Sequence, residues 1–399
     1  MAHIVDFSIG DLAGRGDVYE RALNRHVNVF FGLNGTGKTS LLRILDSAMS
    51  GDASGLGRVP FAEARVTVVS EERARAFTRS IVKASEVQRE ALIRLRKMEE
   101  SGWLRHGGPG GRAESEHEPR LRWEVEPTDD PRSDGARFTH RYLPTSRLFR
   151  SGGQGMFLPD FGRVPSDILE DLLDVALASS IREAWREYSM EVLRHVGKAQ
   201  EDGLAAIIAS VLGGAEGESP QGQAANGRDL GEAYDTVRAF LQRQGSPDLL
   251  GSREQFADKY QKDPALQDVV ADIESVEKRI TAAMAPRERL ERTIRSLFTS
   301  AASVSFADRA IDATARGGDS IGLVSLSSGE KNILRLLVEA ILTHRDTLLI
   351  DEPELSLHVD WQRRLIATMQ ALNPDAQYIL ATHSPEIMAD VPDECIFRM

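Results

Sequence analysis

Val27-Asn28-Val29-Phe30-Phe31-Gly32-Leu33-Asn34-Gly35-Thr36-Gly37-Lys38-Thr39-Ser40-Leu41-Leu42 changes character twice. Its first five residues are a β-branched and aromatic run of strand length, suited to burial on both faces. Gly32 breaks that run, and from Thr39 the period changes: Leu41, Leu42, Leu45 and Met49 recur at helical spacing up to a stop at Gly51. Between strand and helix, Gly32–Thr39 satisfies G-x-x-x-x-G-K-[ST]. Glycines let backbone N–H groups converge on phosphate oxygens without Cβ interference. Lys38 supplies a point charge for β and γ phosphates, the Thr39 hydroxyl suits Mg²⁺, and the helix aims its positive end at the same place. A plain glycine turn is the competing explanation, and the correct flanking elements weigh against it. Gly32, Asn34, Gly35, Thr36, Gly37, Lys38, Thr39 and Ser40 are therefore the candidate nucleotide-binding residues.

The chain has 399 residues, too many for one small domain, which suits a large α/β domain with an insertion or two domains. With 41% hydrophobic residues it can bury a core and is not disordered as a whole. No apolar stretch is long enough to span a membrane, and the N-terminus lacks a basic segment followed by an apolar one, so neither a membrane span nor a secretory signal is expected. The single cysteine, Cys395, excludes an intramolecular disulfide and a cysteine-based zinc cluster, and it suits a reducing cytoplasm. It reads as a small apolar residue in the last strand. A net charge of −12 argues against coating nucleic acid by charge alone. The segment ending in Arg141, Arg147 and Arg150 is locally basic; a solvated face is the favoured meaning, with a nucleic-acid or partner surface as the alternative.

Further along, the pattern predicts a strand at Arg65–Val69, a charged amphipathic helix at Ala84–Glu100, a glycine-rich loop at Gly107–Glu118, and strands at Leu121–Val125 and Phe138–Leu143 around a turn at Thr128–Gly135. From Ser166 the character turns helical, with Ile168, Leu169, Leu172, Leu173, Ala176 and Leu177 on one face. Gly213–Gly231 reads as a low-complexity linker, and helical patterns resume at Ala233–Leu241 and Leu266–Phe298. Heptads are too short-lived for a long coiled coil, so a compact helical insertion is expected. Strands return at Ala302–Phe306 and Ile321–Leu326. A helix then starts at Gly329, with a strand at Thr347–Ile350, a helix near Trp361–Leu372, a strand at Gln377–Ala381 and a last strand at Cys395–Arg398. The expected organisation is an α/β domain built from both ends of the chain, residues 1–160 and 301–399, around a mainly helical insertion at 161–300.

Three more motifs carry chemistry. Leu348-Leu349-Ile350-Asp351-Glu352 is an apolar strand ending in two carboxylates. Asp351 suits Mg²⁺, directly or through water, and Glu352 suits polarising an attacking water as general base. Glu354 is next in line should Glu352 not be that base. Leu326-Ser327-Ser328-Gly329-Glu330 opens a helix, and a serine cap at a helix N-terminus is a second anion site; alone it would pass for an ordinary capping box. Ala381-Thr382-His383-Ser384-Pro385 ends a strand with a histidine at its carboxyl edge, where parallel sheets bind ligands.

In this order and spacing the chain resembles the ABC-type ATPases, and within them the soluble group that includes the structural-maintenance, RecF and OLD (overcoming lysogenisation defect) proteins. The resemblance makes Gly32–Thr39 Walker A, Leu326–Glu330 the signature, Leu348–Glu352 Walker B and His383 the switch histidine. It covers residues 1–50 and 300–399 well and the middle only by architecture. The signature reads LSSGE where transporters usually have LSGGQ, and His358 stands where they have an aspartate. Pro353-Glu354-Leu355-Ser356-Leu357-His358 followed by Asp360-Trp361-Gln362 is similar to the OLD-like, defence-associated ATPases, including the Septu, PARIS and retron-linked ones, as is Tyr142–Arg147 near the Q-loop position. Gln88 and Gln154 are the candidates for a Q-loop glutamine. The residues after His383 leave no room for the Toprim domain of OLD nucleases.

The resemblance implies ATP and Mg²⁺ as cofactors. It implies a homodimer closed by ATP, open to higher assembly, with Ser327, Ser328, Gly329 and Glu330 contacting the partner's nucleotide and Glu352 and His383 acting in hydrolysis. It further implies a separately encoded effector, antiphage defence and a cytoplasmic location without membrane attachment. A RecF-like DNA-repair or chromosome-associated clamp is the alternative, and nucleic acid stays open as a partner. A transporter subunit fits the helical insertion poorly, and Glu352 speaks against a bare nucleotide sensor.

Overall fold

The computed structural model describes residues 2–83, 121–126, 137–145, 166–212, 230–243, 250–298, 302–308, 310–315 and 317–399. The helix expected at 84–100, the loop at 107–118, the turn at 128–135, and Gln88, Gln154, Arg147 and Arg150 lie outside the described residues. So does most of the linker expected at 213–231.

Two compact units emerge. The first comprises residues 1–182, 300–302 and 313–399, and the second 183–299 with 303–312. In the first unit, β3 (Val27–Phe31), β7 (His140–Leu143), β11 (Thr347–Asp351), β12 (Gln377–Thr382) and β13 (Ile396–Arg398) form a parallel sheet in the order β13-β3-β12-β11-β7. All five residues of β11 and all six of β12 are buried, as expected of strands covered on both faces. A second sheet, antiparallel in the order β2-β1-β4-β5-β6, is built from β1 (Ala2–Gly10), β2 (Val18–Ala22), β4 (Glu63–Ser70), β5 (Arg75–Val82) and β6 (Glu124–Glu126).

The helix after the glycine loop, α1 (Lys38–Ser50), joins both sheets in one core. Its Leu41, Leu42, Leu45 and Met49 pack in a cluster with Ile4 and Phe7 of β1, Val66 and Val68 of β4, and Phe30, Leu349 and Ile379 of the parallel sheet. Its C-terminal carbonyls are met by a buried cation: Arg79, 2% exposed, donates to Ala48 O and, at 3.3 Å, to Met49 O. Trp123 Nε1 bonds Ser47 Oγ at 2.9 Å nearby.

The long helix α2 (Ser166–Leu212) spans the chain boundary between the units, and at 47 residues it extends to about 70 Å. The second unit adds α3 (Leu230–Arg243), α4 (Arg253–Lys262), α5 (Pro264–Leu297) and most of β8 (Ala302–Phe306). Ala233, Val237, Phe256, Tyr260, Val270 and Ile273 make its core. Next come β9 (Ile311–Ala315), β10 (Ser320–Ile321), α6 (Ser328–Leu342) and α7 (Val359–Leu372). Three expectations are corrected. Only Ser320–Ile321 is strand where Ile321–Leu326 was expected, because the chain turns through a short 3₁₀ helix at Leu323–Ser325. Strand β6 begins at Glu124, so Leu121, Arg122 and Trp123 precede it. Cys395 lies in a 3₁₀ turn, Asp393–Cys395, and is half-buried.

Candidate functional site

Parallel register gathers the motif residues along one edge. Phe31 of β3 lies opposite Thr382 of β12, and Ala381 lies opposite Asp351 of β11. Gly32, His383 and Glu352 thus each leave their strand at its carboxyl end, where open α/β sheets bind ligands.

The glycine loop is folded as a cradle. Gly35 and Gly37 adopt φ of 85° and 94°, left-handed conformations that cost a glycine nothing. No side chain caps α1. Its first N–H groups therefore remain available to an anion. Lys38 is 5% exposed, and its Nζ donates to Gly32 O at 2.8 Å and Leu33 O at 2.9 Å, inside the loop itself. The Thr36 hydroxyl donates to Leu33 O at 2.9 Å.

Asp351 is 3% exposed, and neither carboxylate oxygen has a hydrogen-bond partner. Burial pushes its carboxyl above the ordinary value. The Thr145 and Thr39 hydroxyls beside it, short of hydrogen-bond geometry, and the charges of Arg43 and Lys38 offset only part of that. A buried carboxylate with both oxygens unmatched, beside a threonine hydroxyl of the phosphate loop, is a donor set that fits Mg²⁺: hard oxygen ligands, with phosphates and water to fill the rest. Among the described residues no cluster of three or more His, Cys, Asp or Glu side chains could hold a metal by itself.

Glu352 follows at φ 51°, strained for a non-glycine residue, with its N–H on Ala381 O at 2.8 Å. Its carboxyl is raised by burial and then by Asp351 and Glu354, while His383 and Lys38 pull it down. Its Oε1 stands 3.8 Å from His383 Nδ1. Glu354 is differently placed. Its Oε1 is within 3.0 Å of His383 Nδ1 and accepts from Thr382 Oγ1 at 2.7 Å, His383 N at 2.9 Å and Ser384 N at 3.2 Å. Oε1 is thus occupied, and Oε2, though without a hydrogen-bond partner, is buried away from water.

At the start of α6, Ser327 and Glu330 form a reciprocal capping box: Glu330 N donates to Ser327 Oγ at 3.2 Å, and Ser327 N to Glu330 Oε2 at 2.9 Å. Two of the five signature residues thus bond each other. Gly329 has a separate requirement, since a Cβ there would lie 2.6 Å from Ser356 O. Ser328 lines a hollow with Asn332, Arg335, Thr145, Asp351 and Glu352, and no residue of the Gly32–Thr39 loop lines it. Lys331, 1% exposed, pairs with Asp174 of α2 at 2.7 Å.

The structure therefore brings Lys38, Thr39, Asp351, Glu352 and His383 to one edge, and Ser328 shares a hollow with Asp351 and Glu352. Thr145, Arg43, Asn332 and Gln362 were not singled out from sequence. Two of them lay in stretches that carry the resemblance, Thr145 in Tyr142–Arg147 and Gln362 in Asp360–Gln362.

Fold and site together define the class: an ABC-type P-loop ATPase fold, α/β, with a mainly helical insertion. Residues 229–389 match the family described as "AAA domain, putative AbiEii toxin, Type IV TA system". A 94-residue stretch, 20% of this chain, is 32% identical to the retron Vc95 probable ATPase of Vibrio cholerae serotype O1 biovar El Tor and covers 18% of it. Another of 95 residues, again 20% of the chain, is 31% identical to the retron Ec83 probable ATPase of Escherichia coli and covers 17% of it. The chain thus matches under a fifth of the length of either relative. Among solved structures, an Smc head domain from Pyrococcus furiosus aligns over 98% of this chain and 92% of its own at 14% identity and a TM-score of 0.38. The SMC head domain of Thermotoga maritima aligns over 97% and 91% at 11% identity, again with a TM-score of 0.38. The resemblance to defence-associated ABC-type ATPases, first read from motifs, agrees with the family match and the partial retron likenesses. Among the described residues no helix is long and apolar enough to cross a membrane.

Proposed function

We propose that the protein is a Mg²⁺-dependent ATPase that dimerises on ATP and uses binding and hydrolysis to control a separately encoded effector in cytoplasmic antiphage defence. The observation that carries the chemistry is the shared strand edge. There the Lys38 loop, the orphaned Asp351 carboxylate, Glu352 and His383 follow β3, β11 and β12. The retron-linked likenesses support the defence setting, and the ATPase domain is assigned to residues 1–160 and 301–399.

In this mechanism the glycine-loop N–H groups and the α1 N-terminus receive the phosphates. Lys38 exchanges its two loop carbonyls for β and γ oxygens. Thr39 and Asp351 would hold Mg²⁺, which would neutralise charge building on the γ-phosphate. Glu352 orients and deprotonates the attacking water, and its upward-shifted carboxyl suits that task at neutral pH. His383 contacts the γ-phosphate. Ser328 and the α6 N-terminus complete the nucleotide site of a second copy across a two-fold axis, as the resemblance to ABC-type ATPases implies. ATP then acts as a bridge, and the switch is as large as the difference between ATP and ADP binding across the interface.

The test is complementation. Lys38→Ala and Ser328→Arg should each be inactive alone, while a mixture should regain hydrolysis from one composite site. Glu352→Gln should bind ATP, barely turn it over, and self-associate more tightly with ATP than with ADP. A mixture without recovered hydrolysis refutes the shared site. Wild-type turnover by Glu352→Gln removes Glu352 as the base.

A further inference from the structure

We propose that Glu354 is the positioning residue of the switch histidine: it gathers the Thr382–Ser384 turn and the His383 ring on one oxygen, leaving Nε2 as the nitrogen that faces nucleotide. This rests on the assignment of His383 as a γ-phosphate contact.

Proton bookkeeping around Glu354 Oε1 fixes the ring. Thr382 Oγ1 already accepts the N–H of Ser384 at 2.9 Å, so its own proton goes to Glu354. The backbone N–H groups of His383 and Ser384 also give protons to Oε1. With three protons aimed at it, Oε1 has none to give, so a proton on Nδ1 is what makes the fourth approach, 3.0 Å from Nδ1, an attractive one. Nε2 is then the nitrogen left over. Because a phosphate oxygen only accepts, Nε2 must also carry a proton when it meets one. A carboxylate behind Nδ1 is what a doubly protonated ring needs at its back.

The neighbourhood shows why the carboxylate stays in place. Glu354 has a 5% exposed side chain, two residues past Glu352. The loop around it is pinned from both sides. Asn332 of α6 donates to Leu355 O at 2.7 Å, and Gln362 of α7 donates to Leu357 O at 2.9 Å. The Gln362 Oε1 accepts from Ser384 Oγ at 2.8 Å, a second tie between this loop and the histidine turn. Burying a carboxylate is costly unless its hydrogen bonds are made; Glu354 Oε2 has none, and every one that Oε1 accepts comes from the turn that carries His383.

The decisive measurement is the ¹⁵N NMR signature of the His383 ring in the nucleotide-free full chain. A proton on Nδ1 is expected in the wild type and in Glu354→Gln, whose amide oxygen can take the place of Oε1. It is expected to be lost in Glu354→Ala. At saturating ATP, Glu354→Ala should lower kcat about tenfold or more while leaving ATP affinity within about twofold, and Glu354→Gln should recover part of the rate. Adding His383→Ala to Glu354→Ala should cost no more than His383→Ala alone. A wild-type ring protonated on Nε2 alone overturns the proposal, as does full turnover by Glu354→Ala when His383→Ala is slow. Should His383→Ala turn over normally, the γ-phosphate role of His383 fails, and the ring signature, read on the unmutated chain, still decides the positioning.

Discussion

Replacing Asp351 with asparagine should stabilise the metal-free protein while ending its Mg²⁺ response. Asp351 is 3% exposed with no hydrogen bond to either oxygen, and its carboxyl is raised although Thr145, Thr39, Arg43 and Lys38 all favour the ionised form. The upward direction already counts those helpers, so burial wins and the ionised group is a net cost to folding. Asparagine keeps the shape and the unmatched polar atoms but removes the charge, so Asp351→Asn should recover the charge's part of the cost, on the order of 1 kcal/mol at neutral pH. The sign in pH follows from proton linkage. With its folded pKa above the unfolded value of 3.8, the folded state binds the extra proton. The contribution is therefore favourable below the unfolded pKa and lost as pH rises through the folded one. The difference between variant and wild type should be near zero in acid and reach its plateau at neutral pH. Thermal melts in chelator without nucleotide would show it as a rise of roughly 2–4 °C for each kcal/mol. Excess Mg²⁺ with a non-hydrolysable ATP analogue should reverse the order, because only the wild type gains. Equal or lower stability of Asp351→Asn at neutral pH without metal refutes the argument.

Gly329→Ala should destabilise by about 1–3 kcal/mol in denaturant titration, since its Cβ would press on backbone at Ser356 O, 2.6 Å away, rather than on a side chain that can turn aside. An unchanged midpoint would mean the α6 start gives way freely. Arg79→Met should cost about 1–3 kcal/mol, leaving the α1 carbonyls of Ala48 and Met49 without this cation. Burial already lowers Arg79 to about 10, so part of the loss is offset. Lys38→Ala should abolish ATP binding by equilibrium titration, and undiminished affinity would remove the Walker A assignment.

Where apolar runs and special backbone coincide, sequence sufficed: Val27–Phe31, the glycine loop, α1, Leu348–Ile350 and Gln377–Ala381 stand where they were expected. Strand β5 was missed for a physical reason. Its inward positions are Phe77, Arg79 and Ile81, all buried, and an arginine in that row hides the alternation. Helix α4 escaped because only Phe256 and Tyr260 of its ten residues are buried, too few to show a period. In β9 the inward residues are Ile311 and the small Ala313. At the site, the carboxylates could be named but not told apart. Glu352 and Glu354 differ by what the fold aims at them, and the donors on Glu354 come from Thr382, His383 and Ser384, near the other end of the domain. The signature serines could not be separated from a capping box because the structure has built one.

The parallel sheet joins partners that are born far apart. Ile4 N bonds the side chain of Gln377 across 373 residues, and β3 pairs with β12 at a similar separation. On a ribosome adding roughly 5–20 residues per second, β3 must wait on the order of 20–70 seconds for the strand beside it. Throughout that interval Val27–Phe31 is a β-prone apolar segment with both edges unpaired, the kind that chaperones cover and other nascent chains can capture. The helices of the second unit emerge within that wait, and contacts among α3, α4 and α5 are local enough to form at once. Synthesis thus imposes an order, insertion first and nucleotide site last. A chain stalled before Gln377 would carry a finished insertion beside an open sheet with no means of holding ATP.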